Sequence, residues 1–230
     1  MSLKLYWLDG KDGHRFSPYS WRIRMALAHK GLEPELVGVK FTGKDRIAFS
    51  GQERVPVLVD GEHWVADSWA IATYLEETYA EAPSLFGDAI GRGEARFVNG
   101  WADSTILPGI APLIIKDVFE TVLAEDREYF RKSREARFGK SLEEVQEGRE
   151  ERVAEFRKRL APLRATVAEQ SFVCGERPAY ADHICFGCFM WPRGTSPFRL
   201  IEPDDPIYAW RERMLDLYGG LARAAPGHPL

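Results

Sequence analysis

The sequence predicts two domains, a small α/β domain followed by an all-α domain. Before about residue 86, short β-rich segments alternate with helical patterns, whereas every periodic segment after it has helical spacing. Asp60-Gly61, a dipeptide typical of tight hairpin turns, separates two of the short segments. A length of 230 residues with 45% apolar content is compatible with two small domains. We therefore expect one domain at residues 1–82 and another at residues 88–230.

The first half of the N-terminal domain has the pattern strand, helix, strand. Residues 3–8 (LKLYWL) predict a strand, and residues 18–30 predict a helix that Gly31 is well placed to end. Helical spacing places Tyr19, Ile23, Ala26 and Leu27 on one face of this helix. Residues 34–39 predict a second strand. This order favours a parallel pair of strands with a right-handed crossover.

The second half adds two strands and a helix after a linker over residues 40–54. Residues 55–60 and 63–66 predict strands joined by the hairpin turn, which requires an antiparallel pair. Asp67 and Ser68 then open a helix. Its inner face is expected to carry Ile71, Ala72, Leu75 and Tyr79. The predicted order is βαβ-ββα, in a small mixed sheet with helices.

Helical patterns occupy the rest of the chain, near residues 90–122, 125–168, 181–191 and 205–219. In the second of these, apolar residues at steps of three and four predict a core-facing stripe of Val153, Phe156, Leu160, Leu163 and Val167. Pro162 falls inside this stretch and is expected to kink or divide the helix. The charges from Glu125 to Arg159 are mixed in sign, so we interpret them as a solvated helix face.

Composition excludes several classes of function. The 31 Lys and Arg residues against 35 Asp and Glu give a net charge of −4, without the positive surplus that nucleic acid binding needs. No uncharged stretch approaches the roughly 18 residues that span a bilayer, and charges appear early in MSLKLYWLDG, so we expect no membrane or signal segment. Three cysteines fit a reducing compartment, which predicts a cytoplasmic protein.

Ser17-Pro18, at the predicted start of the first helix, is the first candidate for chemistry. Serine is a favoured N-cap and proline is favoured at the first helical position, so the pair has a structural explanation. Alternatively, the hydroxyl lies where backbone N–H groups and the helix dipole stabilise an anion such as a thiolate. The sequence leaves both interpretations open.

Two further pairs have the same double interpretation. Pro56 either starts a strand because it need not donate to the ladder, or forms a cis bond that exposes the Val55 backbone to an extended peptide. Asp67-Ser68 either caps a helix or anchors a ligand, with Ser68 on a carboxylate and Asp67 on an ammonium group.

Cysteines and tryptophans in the second half are weaker candidates. Cys185-Phe-Gly-Cys188 has only Cys174 as a further thiol, so we interpret the motif as buried core and expect no metal site. Trp101 and Trp191 are either core residues or the lining of a pocket for an aromatic substrate.

The Ser-Pro, Val-Pro and acid-Ser pairs, in this order within βαβ-ββα and before a helical second half, resemble the glutathione transferases over nearly the whole chain. SPYSWRIRMALAHKGL, ERVPVLVDGEHWVADSWAIATYLEETY and FVCGERPAYAD are similar to the serine-using bacterial and fungal etherase-like branch, which includes enzymes that cleave β-aryl ethers. The resemblance implies a thioredoxin-like N-terminal domain, an all-α C-terminal domain, glutathione as co-substrate and a homodimer.

The resemblance also implies roles for individual residues. The Ser17 hydroxyl would hydrogen-bond the glutathione sulfur and favour its thiolate, with Ser20 and Tyr6 as rivals for this role. Val55, followed by Pro56, would pair with the cysteinyl backbone of glutathione. Ser68 and Asp67 would hold its γ-glutamyl end. The glycyl carboxylate has two candidate partners, Lys40 and Arg54.

One departure from the family pattern concerns the helix near residue 181. The family usually has a Ser or Thr cap three residues before an Asp, but Ala179 precedes Asp182 here. The cap's contribution of about 1 kcal/mol is therefore absent or supplied elsewhere.

The function that the resemblance implies is thiolate attack by glutathione on a hydrophobic, aromatic electrophile, with β-aryl ether cleavage as one form. A glutathione-dependent isomerase or thiol reductase of the same fold and a non-catalytic glutathione-binding module are the alternatives.

Overall fold

A four-stranded mixed sheet in the order β2-β1-β3-β4 forms the N-terminal domain of the computed structural model, which describes residues 3–228. The strands are β1 (Leu3–Leu8), β2 (Glu35–Val39), β3 (Val57–Asp60) and β4 (His63–Ala66). β1 runs parallel to β2 and antiparallel to β3, and β3 pairs antiparallel with β4. The predicted parallel pair and hairpin are confirmed. Residues 1–2 and 229–230, at the ends of the two predicted domains, lie outside the described residues.

Both faces of the sheet are covered. Helices α1 (Pro18–His29) and α2 (Ser68–Thr78) bury one face, where Leu5 and Leu58 are fully enclosed. On the other face, a short 3₁₀ segment over Lys44–Ser50 covers a smaller cluster of Val39, Ile47 and Val57. Of the four residues predicted to share one face of α1, Ile23, Ala26 and Leu27 are fully buried, whereas Tyr19 is 37% exposed.

Eight helices follow in the part of the chain that the structure describes. They are α3 (Ala89–Trp101), α4 (Leu107–Thr121), α5 (Arg127–Phe138), α6 (Leu142–Gln146), α7 (Arg149–Arg159), α8 (Ala161–Glu169), α9 (Tyr180–Thr195) and α10 (Pro206–Gly220). A π-helical turn, Ala102–Ile106, joins α3 to α4. The predicted all-α second domain is confirmed.

The stretch predicted as helical over residues 125–168 is divided more often than expected. Pro162 lies at the second position of α8, so the predicted division near it is confirmed. Gly139 and Gly148, with φ of 69° and 64°, make two further breaks that the sequence analysis missed. Because glycine readily adopts positive φ, each lets the chain leave one helix and turn into the next. The predicted apolar stripe from Val153 to Val167 is buried.

Helix α9 runs through the centre of the molecule and packs directly on α1. Gly187 makes this approach possible, because a β-carbon there would lie 2.5 Å from the Pro18 carbonyl oxygen and 2.9 Å from Arg22 Cγ. Cys185 and Cys188, on either side, are fully buried, as the core interpretation predicted. Within residues 3–228, no group of His, Cys, Asp or Glu side chains is arranged for a metal ion.

The start of α9 compensates for its missing Ser or Thr cap. The carboxylate of Asp182 accepts a hydrogen bond from the Ala179 backbone and further ones from outside the helix, from Val173, Cys174 and Trp210. None of the helices within residues 3–228 combines the length and apolarity needed to cross a bilayer.

Candidate active site

A cleft of about 430 Å³ lies between the two domains. The N-terminal domain contributes the first turn of α1, the loop that follows β2 and the residues just before β3. The C-terminal domain contributes one face each of α4 and α5, together with Trp191 from α9. Of the two tryptophans proposed for a pocket, Trp191 therefore lines the cleft and Trp101 does not.

Ser17 is both the N-cap of α1 and part of the cleft wall. Its Oγ accepts a hydrogen bond from the Ser20 backbone N–H at 3.3 Å and another from the Ser20 hydroxyl at 3.1 Å. Because Ser17 is the acceptor in both contacts, its own hydroxyl proton is left for a partner in the cleft. Ser17 can thus cap α1 and donate a hydrogen bond to a ligand at the same time.

The two rivals of Ser17 lie elsewhere. Ser20 is 1% exposed and stands behind Ser17, outside the cleft lining. Tyr6 lies on the face of the sheet under the 3₁₀ segment, where its ring packs edge-on against Phe49 at a centroid distance of 5.4 Å. Of the three hydroxyls proposed for the thiol, Ser17 alone lines the cleft.

Tyr19 is a cleft residue that the sequence analysis missed, because its helical spacing grouped it with Ile23, Ala26 and Leu27. It lines the cleft, and the Arg22 guanidinium lies 4.7 Å from its ring centroid. Burial, helped by the nearby carboxylate of Asp103, raises the pKa of Tyr19 above its usual value. The phenol therefore stays protonated at neutral pH and is a hydrogen-bond donor in the cleft.

Val55 lines the cleft, and its bond to Pro56 is cis. The paired part of β3 starts at Val57, two residues later than predicted, since Pro56 has no N–H to donate to the ladder. Pro56 itself is buried and does not line the cleft. Val55 thus shares the cleft with Ser17 but stands outside the strand pairing.

Asp67 and Ser68 lie at the start of α2 and do not line this cleft. Asp67 Oδ1 accepts from the backbone N–H groups of Trp69 and Ala70 at 2.9 and 3.1 Å, so the capping role is present. Asp67 is exposed and has a φ of 77°, which is uncommon for a residue other than glycine. Ser68 is buried, and its carbonyl oxygen accepts from the Tyr180 hydroxyl at 2.8 Å.

Lys40 and Arg54, the two candidates for the glycyl carboxylate, both line the cleft and are exposed. Lys40 Nζ forms an ion pair with Glu125 at 2.5 Å, and the hydrogen bond to this carboxylate raises the pKa of Lys40. For Arg54, no carboxylate within residues 3–228 lies at ion-pair distance. Arg54 therefore keeps its charge available.

The loop that carries Lys40 is tied to the C-terminal domain. Asp126, which is fully buried, accepts from the backbone N–H groups of Phe41 and Thr42, each at 2.9 Å, and from the Thr42 hydroxyl at 2.6 Å. Because a buried carboxylate needs such donors, this contact fixes the loop against the start of α5. The two walls of the cleft are thereby joined at one end.

Asp103, on the π-helical turn, is the cleft carboxylate of the α3–α4 side. The fully buried Arg22 donates to Asp103 Oδ1 at 2.8 Å, and Asn99 donates to Asp103 Oδ2 at 3.0 Å. π-Helical turns are frequent at functional sites. Here the turn presents a carboxylate to the cleft, and each of its oxygens accepts a hydrogen bond from the protein.

The interpretation of residues 125–159 as a solvated face is wrong for one face of α5. Phe130, Arg134, Arg137 and Phe138 line the cleft, and Arg134 is half-buried. The Arg134 guanidinium lies 4.7 Å from the Phe130 ring centroid and 5.4 Å from that of Phe41. Phe130, Arg134 and Phe138 are four residues apart, so helical spacing was a signal that the mixed charges obscured.

Comparisons with known proteins identify related sequences and folds. Two protein-family models match the chain: the glutathione S-transferase N-terminal domain over residues 16–78 and the glutathione S-transferase C-terminal domain over residues 95–198. Glutathione S-transferase Z1 of Arabidopsis thaliana is 36% identical over 115 residues, which are 46% of this chain and 50% of that protein. The chain thus spans about half the length of this relative.

Other relatives match at greater length and lower identity. Glutathione S-transferase U28 of Arabidopsis thaliana is 26% identical over 87% of this chain and 81% of its own. A crystal structure of a glutathione S-transferase of Ceriporiopsis subvermispora in complex with glutathione has a TM-score of 0.82 at 19% identity, over 98% and 99% of the two chains. β-Etherase LigF from Sphingobium sp. strain SYK-6 has a TM-score of 0.69 at 22% identity, over 97% and 98%.

The two structural likenesses, both under 25% identity, establish the fold: a thioredoxin-like N-terminal domain and a helical C-terminal domain. The two family models match in the expected order and on either side of the predicted domain boundary, and together they cover most of the chain. The chain therefore belongs to the glutathione S-transferase family.

Proposed function

We propose that the protein is a glutathione transferase that activates the glutathione thiol at Ser17 for attack on a hydrophobic, aromatic electrophile. The observation that carries this proposal is the Ser17 hydroxyl, which has two donors behind it and its own proton free in the cleft. Hydrogen bonds to a thiolate lower the pKa of the thiol from its usual value of about 8.5. The N-terminus of α1 adds a favourable dipole for the same charge.

Glutathione is proposed to lie along the N-terminal wall of the cleft. The backbone of Val55 would pair with the cysteinyl residue, next to Ser17, and Arg54 or Lys40 would bind the glycyl carboxylate. The γ-glutamyl end would reach the start of α2, where Ser68 offers a helix N-terminus and Asp67 an exposed carboxylate for the ammonium group. This placement leaves α4, α5 and Trp191 for the electrophile.

In the proposed reaction the thiol proton passes to solvent, and the thiolate attacks the electrophilic carbon. The C–S bond forms as the bond to the leaving group breaks, and the leaving group departs with its electron pair. With a β-aryl ether as substrate, the breaking bond is C–O and the leaving group is an aryloxide. The Tyr19 phenol lies in the same cleft as a proton donor for this oxygen.

A homodimer is part of the proposal. Ile90 and Phe97, seven residues apart on one face of α3, are 72% and 77% exposed. Trp64 and Phe49, on the N-terminal domain, are also exposed. A second copy of the chain would cover these side chains. We also propose a cytoplasmic location, supported by three cysteines that form no disulfide.

The test compares Ser17→Ala with Ser20→Ala. With glutathione and an aromatic chloride at pH 6.5, Ser17→Ala is expected to lower kcat/KM at least about tenfold, because an ionised thiol loses a hydrogen bond of about 1.5–3 kcal/mol. The thiolate absorbance of the glutathione complex should shift to higher pH in the same variant. Ser20→Ala leaves the free proton of Ser17 in place and should change kcat/KM by less than about threefold.

Unchanged turnover in Ser17→Ala, for the aromatic chloride and for a β-aryl ether alike, would contradict the assigned role of Ser17. Calorimetry distinguishes the remaining alternatives. Glutathione binding without turnover of any electrophile favours a non-catalytic glutathione-binding module, and no binding contradicts the proposed function as a whole.

A further inference from the structure

The positive charges around the cleft fall into two groups. Lys40 and Lys44 are neutralised by carboxylates of the protein, Glu125 at 2.5 Å and Glu53 at 2.7 Å. The three cleft arginines Arg54, Arg134 and Arg137 have no carboxylate at ion-pair distance within residues 3–228. The cleft therefore holds more positive charge than the protein itself balances.

Arg134 is the most enclosed of the three. Its side chain is half-buried, and its guanidinium lies beside the rings of Phe130 and Phe41. Its guanidinium donates one hydrogen bond, to the Ser133 hydroxyl at 3.0 Å. Burial lowers the pKa of Arg134; the nearby Tyr129 acts against this fall, and the charges of Arg137 and Arg54 add to it. An enclosed cation among like charges is costly unless an anion joins it.

Glutathione brings one anion to this end of the cleft, the glycyl carboxylate. Arg54 and Lys40 both line the N-terminal wall, and Arg54, which has no ion-pair partner within residues 3–228, is placed for it. Arg134 projects from α5 in the C-terminal wall, where Ile115 and Phe138 also line the cleft, and its guanidinium reaches the ring of Phe41. Within residues 3–228 no carboxylate pairs with Arg134, so its charge is available to a second anion.

We propose that the electrophile carries a carboxylate, and that Arg134 binds it while the aromatic side chains of α5 pack on its ring. This inference depends on the proposed function. A guanidinium suits this task because its fork of N–H donors matches a carboxylate in two parallel hydrogen bonds. The rings of Phe130 and Phe41 lie 4.7 and 5.4 Å from the guanidinium, and this packing reduces the ordering needed on binding. The exposed Arg137, three residues further along α5, adds attraction for an anion approaching the cleft.

A pair of substrates that differ only in this charge tests the inference. 4-Chloro-3,5-dinitrobenzoate and its neutral carboxamide react in the same way: the glutathione sulfur bonds to the ring carbon, chloride leaves with the C–Cl electron pair, and the thiol proton goes to solvent. After division by the uncatalysed rate with glutathione, kcat/KM of the unaltered protein should be about tenfold higher for the carboxylate. Arg134→Gln should reduce this ratio to about one, because only the carboxylate substrate loses a charged partner.

Two further variants serve as controls. Lys132→Gln removes the same charge from the exposed side of α5 and should leave the ratio unchanged. Arg134→Lys keeps the charge but loses the fork, so an intermediate ratio is expected. Urea unfolding of Arg134→Gln beside the unaltered protein shows whether that substitution affects folding.

Three results would overturn the inference. One is an equal rate for both substrates in the unaltered protein. The second is an equal loss for both in Arg134→Gln with a raised KM for glutathione, which would assign Arg134 to the glycyl carboxylate.

The third result is a calorimetric one, for the case in which neither substrate is turned over. Absence of turnover contradicts the proposed function but does not decide the inference. Calorimetry with the two glutathione conjugates then decides the inference separately: tighter binding of the carboxylate conjugate that Arg134→Gln abolishes supports it, and equal binding of the two conjugates overturns it.

Discussion

Helices α1 and α9 pack against each other, yet the polar groups at their first turns serve different purposes. Asp182, in the first turn of α9, is 0% exposed and accepts four hydrogen bonds: from Val173 N at 2.7 Å, Cys174 N at 3.3 Å, Ala179 N at 3.2 Å and Trp210 Nε1 at 2.9 Å. Ser17, at the start of α1, accepts two and keeps its own proton for the cleft.

The two groups differ in how much of their hydrogen-bonding capacity the protein itself uses. Burial raises the pKa of Asp182, and the hydrogen bonds from Trp210 and the backbone act against this rise. All its acceptor capacity is used within the protein, so Asp182 has nothing to offer a ligand and acts in stability. Ser17 combines an unused donor with access to the cleft, which is the condition for chemistry.

Replacing Asp182 by Ala is the most severe test of this contrast. Four donors, of which three are backbone N–H groups, would lose a charged acceptor in the interior, and we expect the free energy of unfolding to fall by about 4 kcal/mol. Urea unfolding measures the change. Asp182→Asn keeps the shape and one acceptor oxygen, so it should fold and lose less.

Asp88 is the matched control, because it caps α3 from an exposed position with one hydrogen bond, from Gly91 N at 2.8 Å. Asp88→Ala is expected to cost about 1 kcal/mol. If Asp182→Ala costs no more than Asp88→Ala, the closed network at the start of α9 does not carry the stability we assign to it.

Gly187 provides the second test, since it is where α9 contacts the first turn of α1. A methyl group there would meet the Pro18 carbonyl at 2.5 Å, and backbone cannot yield as a flexible side chain can. We expect Gly187→Ala to lower the free energy of unfolding by about 2 kcal/mol and to reduce kcat/KM, because the shift of Pro18 moves Ser17.

Gly100, on α3, is the matched control for Gly187. Beyond the backbone of α3 itself, no heavy atom of the described residues lies within 4 Å of the place that a β-carbon of residue 100 would occupy. Gly100→Ala should therefore raise stability by about 0.5–1 kcal/mol, as alanine does within a helix. Equal effects of the two substitutions would show that α1 and α9 are not in close contact at Gly187.

The sequence predicted what depends on local pattern. The parallel pair followed from the order strand, helix, strand and the hairpin from Asp60-Gly61, and both are confirmed by the register of β1 with β2 and of β3 with β4. Pairs at helix starts identified Ser17 and Asp67 as caps, which the hydrogen bonds bear out. A cap needs only residues that are close in the chain, so the sequence contains the whole signal.

What the sequence missed depends on contacts between distant segments. Arg134 looked like one charge of a solvated run, and its place beside Phe41 results from the packing of α5 on the loop after β2. Asp182 lacked the expected Ser or Thr before it, and its donors come from Val173 and Trp210, which no helical spacing relates to it. Tertiary packing determines such sites, and a single sequence contains no local pattern that predicts which distant segments pack together.

The smallest effect separates the two roles of Ser17. Ser17→Ala removes the N-cap and should lower the free energy of unfolding by about 1 kcal/mol, whereas Ser17→Gly should cost only a few tenths of a kcal/mol, since glycine is tolerated at this position. Both lack the hydroxyl, so both should lose glutathione-dependent turnover to the same extent. If turnover instead follows stability, Ser17→Gly keeps nearly the turnover of the unaltered protein. Ser17 would then serve stability alone, as Asp182 does, and the contrast between the two helix starts would not hold.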